Sequence, residues 1–141
     1  MICSKSKLVL AAVVFAGSLA SFSTSQTFAQ QAVPAPSRTI LTKQDLSVPG
    51  HEGVLVISQL PPGTREPNHT HPGDLFAYVQ EGTVMFHVEG QPDQHLTVGQ
   101  FIFIPAEKVH YASNEGGTAP VKLLVTFFVE KGKPLTTPVS K

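Results

Sequence analysis

The sequence is poor in charge and in sulfur. Only 14% of its 141 residues are charged, with 10 Lys+Arg set against 10 Asp+Glu, and its one cysteine is Cys3. No basic run is present to neutralise a phosphate backbone, so nucleic acid is not an expected partner. No apolar run reaches the roughly 20 residues needed to cross a bilayer as a helix. Beyond the leader described below, no stretch has helical periodicity, and no repeat of 20 to 50 residues is visible. A Ser-His-Asp set, a phosphate-cradling glycine loop and a paired-carboxylate site are likewise missing, which removes the commonest hydrolytic and nucleotide chemistries. What the chain does have is 41% apolar residues, too many for disorder, together with 11 glycines and 12 prolines. That composition favours many short strands joined by turns.

The first residues read as a leader. Lys5 and Lys7 precede an apolar run from Leu8 to Ala16, and a small and polar stretch then ends in Thr27-Phe28-Ala29. This order is a positive n-region, an h-region too short to span, and a small-residue cleavage site, so residues 1–29 are expected to be a signal peptide cut after Ala29. The protein is then exported, to a periplasm or outside the cell, with no stable membrane insertion after cleavage. Cys3 leaves with the peptide, which excludes disulfides, thiol nucleophiles and redox dithiols. Loss of the two lysines leaves 8 basic against 10 acidic residues, a net charge of about −2 on about 112 residues, the size of one domain. Residues 30–37 read as a Pro/Ala/Gln/Ser linker, 38–134 as the domain and 135–141 as a C-terminal tail.

Within the domain, seven apolar runs stand between turn signals: Val54 to Leu60, Leu75 to Gln80, Thr83 to Val88, Leu96 to Val98, Phe101 to Ile104, Val109 to Ser113, and Val121 to Val129. Such spacing predicts an all-β sandwich or barrel. Glu81-Gly82 reads as a two-residue hairpin turn pairing Val79 with Val84, Ala77 with Phe86 and Leu75 with Val88. By alternation those six side chains share the interior face, and Phe76, Tyr78, Met85 and His87 face away.

The chemistry centres on His69-Thr70-His71. Histidines at i and i+2 on an extended segment place both imidazoles on one face, where they can grip one ion, and neutral imidazole suits Fe, Zn, Cu and Ni. Taken alone the pair is also compatible with two surface residues in a Pro-rich loop. Its surroundings are more specific. Gly63, five residues, His69, Thr70, His71 and then Gly82 resemble the first motif of the cupin family, G-x5-H-x-H-x3,4-E-x6-G. Gly99, five residues, Pro105, four residues, His110, three residues and Asn114 resemble the second, G-x5-P-x-G-x2-H-x3-N. The resemblance covers about Val54 to Val129. It implies a single cupin jelly-roll barrel (a double-stranded β-helix) with His69, His71 and His110 converging inside as ligands of a divalent metal, Fe2+ by preference, with Mn, Ni, Zn or Cu as alternatives. A small organic molecule is the implied ligand.

Two positions depart from the family pattern. Glu107 stands where the second motif has glycine. The family's carboxylate ligand falls on Leu75, and the neighbouring Asp74 points to the opposite face. The implied site therefore has three neutral ligands and a greasy wall of Leu75, Ala77, Phe86, Phe101 and Phe103. Two readings stay open: a dioxygenase-like metalloenzyme, for which isomerase or decarboxylase chemistry is a variant, and a non-catalytic binding cup with a degenerate metal site. No inward acid or base is evident other than Glu107, and catalytic residues cannot be named. Arg65 and Glu66 are expected to be an exposed pair, His51, His87 and His95 solvated or structural, and Asn114 a turn residue. Because Val121 to Val129 and Phe101 to Ile104 are apolar on both faces, a homodimer is expected to cover the outer one.

Overall fold

The computed structural model describes residues 34–140. The leader, and with it the cleavage position Ala29, lies outside the described residues. Ten strands follow one another: β1 Ser37–Asp45, β2 His51–Leu60, β3 His69–Thr70, β4 Asp74–Glu81, β5 Thr83–Val88, β6 Gln94–Thr97, β7 Phe101–Ile104, β8 His110–Ser113, β9 Val121–Glu130 and β10 Thr137–Pro138. They form two five-stranded antiparallel sheets, in the orders β1-β2-β9-β4-β7 and β10-β3-β8-β5-β6. There is no helix among the described residues, and the fold is the all-β jelly-roll barrel that the resemblance implied.

Alternation along the strands builds the core between the two sheets. On β9, Val121, Leu123, Val125, Phe127 and Val129 are buried while the residues between them are not, and β2 alternates in the same way from Val54 to Leu60. Leu75, Ala77, Val79, Val84, Phe86 and Val88 are all buried, as expected for one interior face. The hairpin that was to join them is not there. β4 pairs with β7 and β9, and β5 pairs with β6 and β8, so Glu81-Gly82 carries the chain from one sheet to the other. Gly82 takes a φ of 80°, and a Cβ there would lie 2.6 Å from the carbonyl oxygen of Pro120, so only glycine fits at this crossing between the sheets.

Three strands have no counterpart among the apolar runs. β1 is exposed at all nine positions and is held by backbone pairing to β2, so it carries no hydrophobic signal. β3 contains only the first histidine and its neighbour. β10 lies in the segment read as a tail: Thr137 and Pro138 pair with Thr70 and His69, and Val139 N donates to Asn68 O at 2.9 Å. The C-terminus is thereby strapped along the strand that carries the histidines.

Candidate metal centre

His69 and His71 leave β3 and the residue after it on the inward face, and His110 begins β8, where its Cα is the direct cross-strand partner of His69. The three rings sit together with centroids 4.4, 4.8 and 4.9 Å apart, all three side chains are buried, and their ligand atoms lie within 4.8 Å of one another. Each ring is oriented from behind by the backbone. Pro67 O accepts from His69 Nδ1 at 2.8 Å, Lys108 O accepts from His110 Nδ1 at 2.8 Å, and Leu135 O accepts from His71 Nδ1. A carbonyl can only accept, so every Nδ1 carries the proton and every Nε2 keeps its lone pair. Backbone acceptors of this kind fix the tautomer and the ring orientation that a metal ligand needs. Burial reinforces it by making the charged ring costly. Desolvation, with smaller repulsion from the neighbouring rings, pushes His71 down to about 3 and His110 to about 4, and desolvation lowers His69 as well. The donor set therefore fits a divalent transition metal: three neutral nitrogens from three separate anchor points.

The histidines close one end of a narrow cavity that is partly open to solvent. Leu75, Ala77 and Phe86 line it as expected, joined by Ile104, Val125 and Phe127. Phe101 and Phe103 do not. They are 61% and 44% exposed on the outer face of β7, and Ile102 and Ile104 point inward instead. A strand reading Phe-Ile-Phe-Ile is apolar in either phase, and pairing of Leu75 with Ile104 and Ala77 with Ile102 sets which phase is inside.

The polar end of the cavity also differs from expectation. Glu66 is not exposed. It is 8% accessible, lines the cavity, and receives Arg38 Nη2 at 2.8 Å. Its backbone N–H donates to Ala112 O at 3.0 Å, which turns the side chain inward. Arg65, one residue earlier, points out and lays its guanidinium 3.9 Å over the ring of Tyr111. Arg38 was not foreseen at all, since its strand carried no pattern. Glu107 is exposed and takes no part in the cavity, so the inward carboxylate is Glu66. Asp74 points away, as alternation requires, and accepts from Ala106 N at 2.9 Å. Asn114 is a buried turn residue donating to Leu60 O and Ala119 O, and His87 pairs with Asp93 away from the site.

A family model described as "Cupin domain" matches residues 56–134. The chain belongs to the cupin family. Among solved structures, this cupin is similar to an uncharacterised double-stranded β-helix protein from Klebsiella pneumoniae, at 21% identity over 78% of this chain and 89% of that one, with a TM-score of 0.60. It is also similar to the DMSP lyase DddQ from Ruegeria pomeroyi, at 22% identity, covering 63% of this chain and 45% of that one, with a TM-score of 0.56. A third likeness is to an oxalate decarboxylase, at 18% identity, covering 62% of this chain and 24% of that one, with a TM-score of 0.55. The chain spans less than half the length of the lyase. At these identities the likeness is one of fold. No curated protein matches the chain.

Proposed function

We propose that this cupin is an exported, dioxygenase-like metalloenzyme in which His69, His71 and His110 hold a divalent metal, Fe2+ by preference, and present a small organic molecule to it. The observation that carries the reading is the triple anchoring: three buried, neutral imidazoles whose Nδ1 protons are all committed to backbone carbonyls and whose Nε2 atoms face one cavity. Such a metal supplies Lewis acidity and, if it is iron, a site for oxygen chemistry. The chain's own residues do the rest. Leu75, Phe86 and Phe127 exclude water from one side, and Glu66, paired with Arg38 at 2.8 Å, places a carboxylate at the cavity edge beside a bound ligand. That carboxylate favours a second reading, metal-assisted proton transfer.

Protein recovered from the export compartment is the right sample, because its metal is the native one. The expected result is an intact mass beginning after Ala29, close to one divalent metal per chain, loss of that metal in His69→Ala, and oxygen uptake by the iron-loaded protein with at least one compound in a panel of catechols, flavonols and diketones. Native protein that takes up no metal under any loading would leave the binding-cup reading in its place. Metal without oxygen uptake, but with elimination or decarboxylation of a panel acid, would favour the proton-transfer reading.

The homodimer belongs to the same proposal. Phe76, Tyr78, Phe101, Phe103 and Phe128 are each at least 41% exposed on the outer face of the β9-β4-β7 side, and Phe76 packs against Phe103 with centroids 5.1 Å apart. A cluster of this kind is larger than the scattered apolar residues of a monomer surface. Light scattering at micromolar concentration is expected to give a dimer mass, and Phe101→Asp with Phe103→Ser to give a monomer with an unchanged circular dichroism spectrum. A monomeric parent protein would overturn this part.

A further inference from the structure

The histidines do not make the polar end of the cavity alone. Arg38 on β1 and Ser58 on β2 are direct partners in the antiparallel register, so their side chains are neighbours, and both line the cavity beside the three rings. Ser58 is 3% exposed, and among the described residues its Oγ is one of two buried side-chain atoms with no hydrogen-bond partner. A hydroxyl shut away from water without a partner is unfavourable, and it is tolerated where something else is to bond to it. Beside it, the Arg38 guanidinium is held in a fixed direction. Nη1 donates to Thr136 Oγ1 at 2.6 Å, and Nη2 donates to Glu66 Oε1 at 2.8 Å. The remaining contact of Nη2 is with His69 Nε2 at 3.2 Å. That acceptor is a neutral ring, and an anionic oxygen makes a stronger bond to the same donor.

The charges around the cavity favour the same conclusion. Glu66 balances Arg38, the three imidazoles are neutral, and the opposite wall is hydrocarbon, so a divalent metal brings positive charge that no residue at position 75 offsets. We propose that Arg38 and Ser58 recognise the carboxylate, or an equivalent anionic oxygen, of a small amphiphilic ligand whose apolar body lies against Leu75, Phe86 and Phe127. Thr136 is a positioning residue, acting through Arg38. This deepens the reading above and rests on it for the metal alone. Arg38 and Thr136 both lie outside the span 56–134 matched by the family. Ser58 lies within that span, so residues that flank the matched region act together with one inside it to set the ligand class.

Butyrate and its neutral isostere butyramide separate charge recognition from shape. Both are titrated by NMR into Zn(II)-loaded protein and into protein treated with EDTA, with bound metal measured in each sample. Butyrate is expected to bind about ten-fold or more tightly than butyramide, the range of a charge-assisted hydrogen bond. In Arg38→Gln the two should bind alike, Arg38→Lys should keep part of the preference, and Ser58→Ala and Thr136→Val should weaken butyrate several-fold and butyramide by less. Circular dichroism checks the fold of each variant, and the serine and threonine variants carry the test should Arg38→Gln fail to fold. Equal binding of the two probes by the parent protein, or a preference that survives in both Arg38→Gln and Ser58→Ala, would overturn the proposal. An Arg38-dependent preference in protein that binds no Zn(II) would uphold it and remove the metal reading instead.

Discussion

Leu75→Glu is expected to destabilise the metal-free protein by several kcal/mol and to make its fold depend on metal. Leu75 is 3% exposed, with Ile104 of β7 on one side and Phe127 of β9 on the other. Removing it forfeits about 1.5 to 3 kcal/mol of apolar burial. The carboxyl group that replaces it has no charged neighbour among Ile104, Phe127, Ala77 and Val125, so it must either stay ionised in hydrocarbon or take up a proton, and both are costly. A loss of about 2 to 4 kcal/mol lowers the melting temperature of a domain this size by roughly 10 to 25 °C. With a divalent metal the balance reverses, because the new carboxylate sits where the cupin pattern places its acidic ligand and gains the metal's charge as its partner. A ligand that binds only the folded state at about a thousand times its dissociation constant returns about 4 kcal/mol. Differential scanning calorimetry in EDTA and in excess Zn(II) reads both halves. Full melting temperature in EDTA would mean that position 75 is not in a closed apolar wall, and a drop that Zn(II) does not repair would mean that the position does not share an ion with the three histidines.

The residues that were legible in the sequence, and those that were not, divide along physical lines. All seven apolar runs are strands because alternation and turn chemistry are local properties, readable within a few residues. Partners are not local. Glu81-Gly82 has the composition of a hairpin turn, yet β4 pairs with β7 and β9, and β5 with β6 and β8, partners that no local pattern names. Phase is also hidden where both faces are apolar, which put Phe101 and Phe103 on the wrong side of β7 while Leu75, Ala77 and Phe86 were placed correctly.

The histidines were found because their spacing is local and specific, and the structure brings them together. Glu66 was missed because an Arg-Glu pair in a Pro-rich loop reads as surface. The backbone bond from Glu66 N to Ala112 O, a tertiary contact, turns the acid inward while Arg65 goes out to Tyr111. A usable signal did exist at Glu107. The family has glycine there, and Glu107 takes a φ of 61°, with its N–H donating to His71 O at 2.9 Å. The turn keeps a glycine-like conformation despite the side chain, because it is tied to the loop that carries a histidine.

Acid is expected to unfold the metal-free protein at a higher pH than is usual for a domain of this size. Burial lowers His71 from 6.5 to about 3 and His110 from 6.5 to about 4, with desolvation the main cause in each and the backbone acceptors at Leu135 and Lys108 opposing it. The unfolded chain takes up a proton at each ring as the pH falls through 6.5, while the folded chain does not until much lower. Stability from these groups is therefore complete above about pH 6.5 and is lost on the way down to their folded values. Each ring that is charged only when unfolded contributes a slope of up to about 1.4 kcal/mol per pH unit, so two give up to about 2.7. Against a stability of about 5 kcal/mol, the low end of the usual range, that slope alone brings the acid midpoint to between about pH 4 and 5, and a more stable fold moves it lower. Urea unfolding at a series of pH values in EDTA measures it, and His71→Asn with His110→Asn should flatten the slope even where it lowers the stability at neutral pH. Stability that stays level from pH 6.5 to pH 4 would show the rings to be solvated, and a solvated set would also lose the tautomer lock on which the metal reading depends. Zn(II) adds a second readout, since protons and metal compete for the same Nε2 lone pairs. Its addition should move the midpoint to lower pH in the parent protein and leave the double variant unmoved.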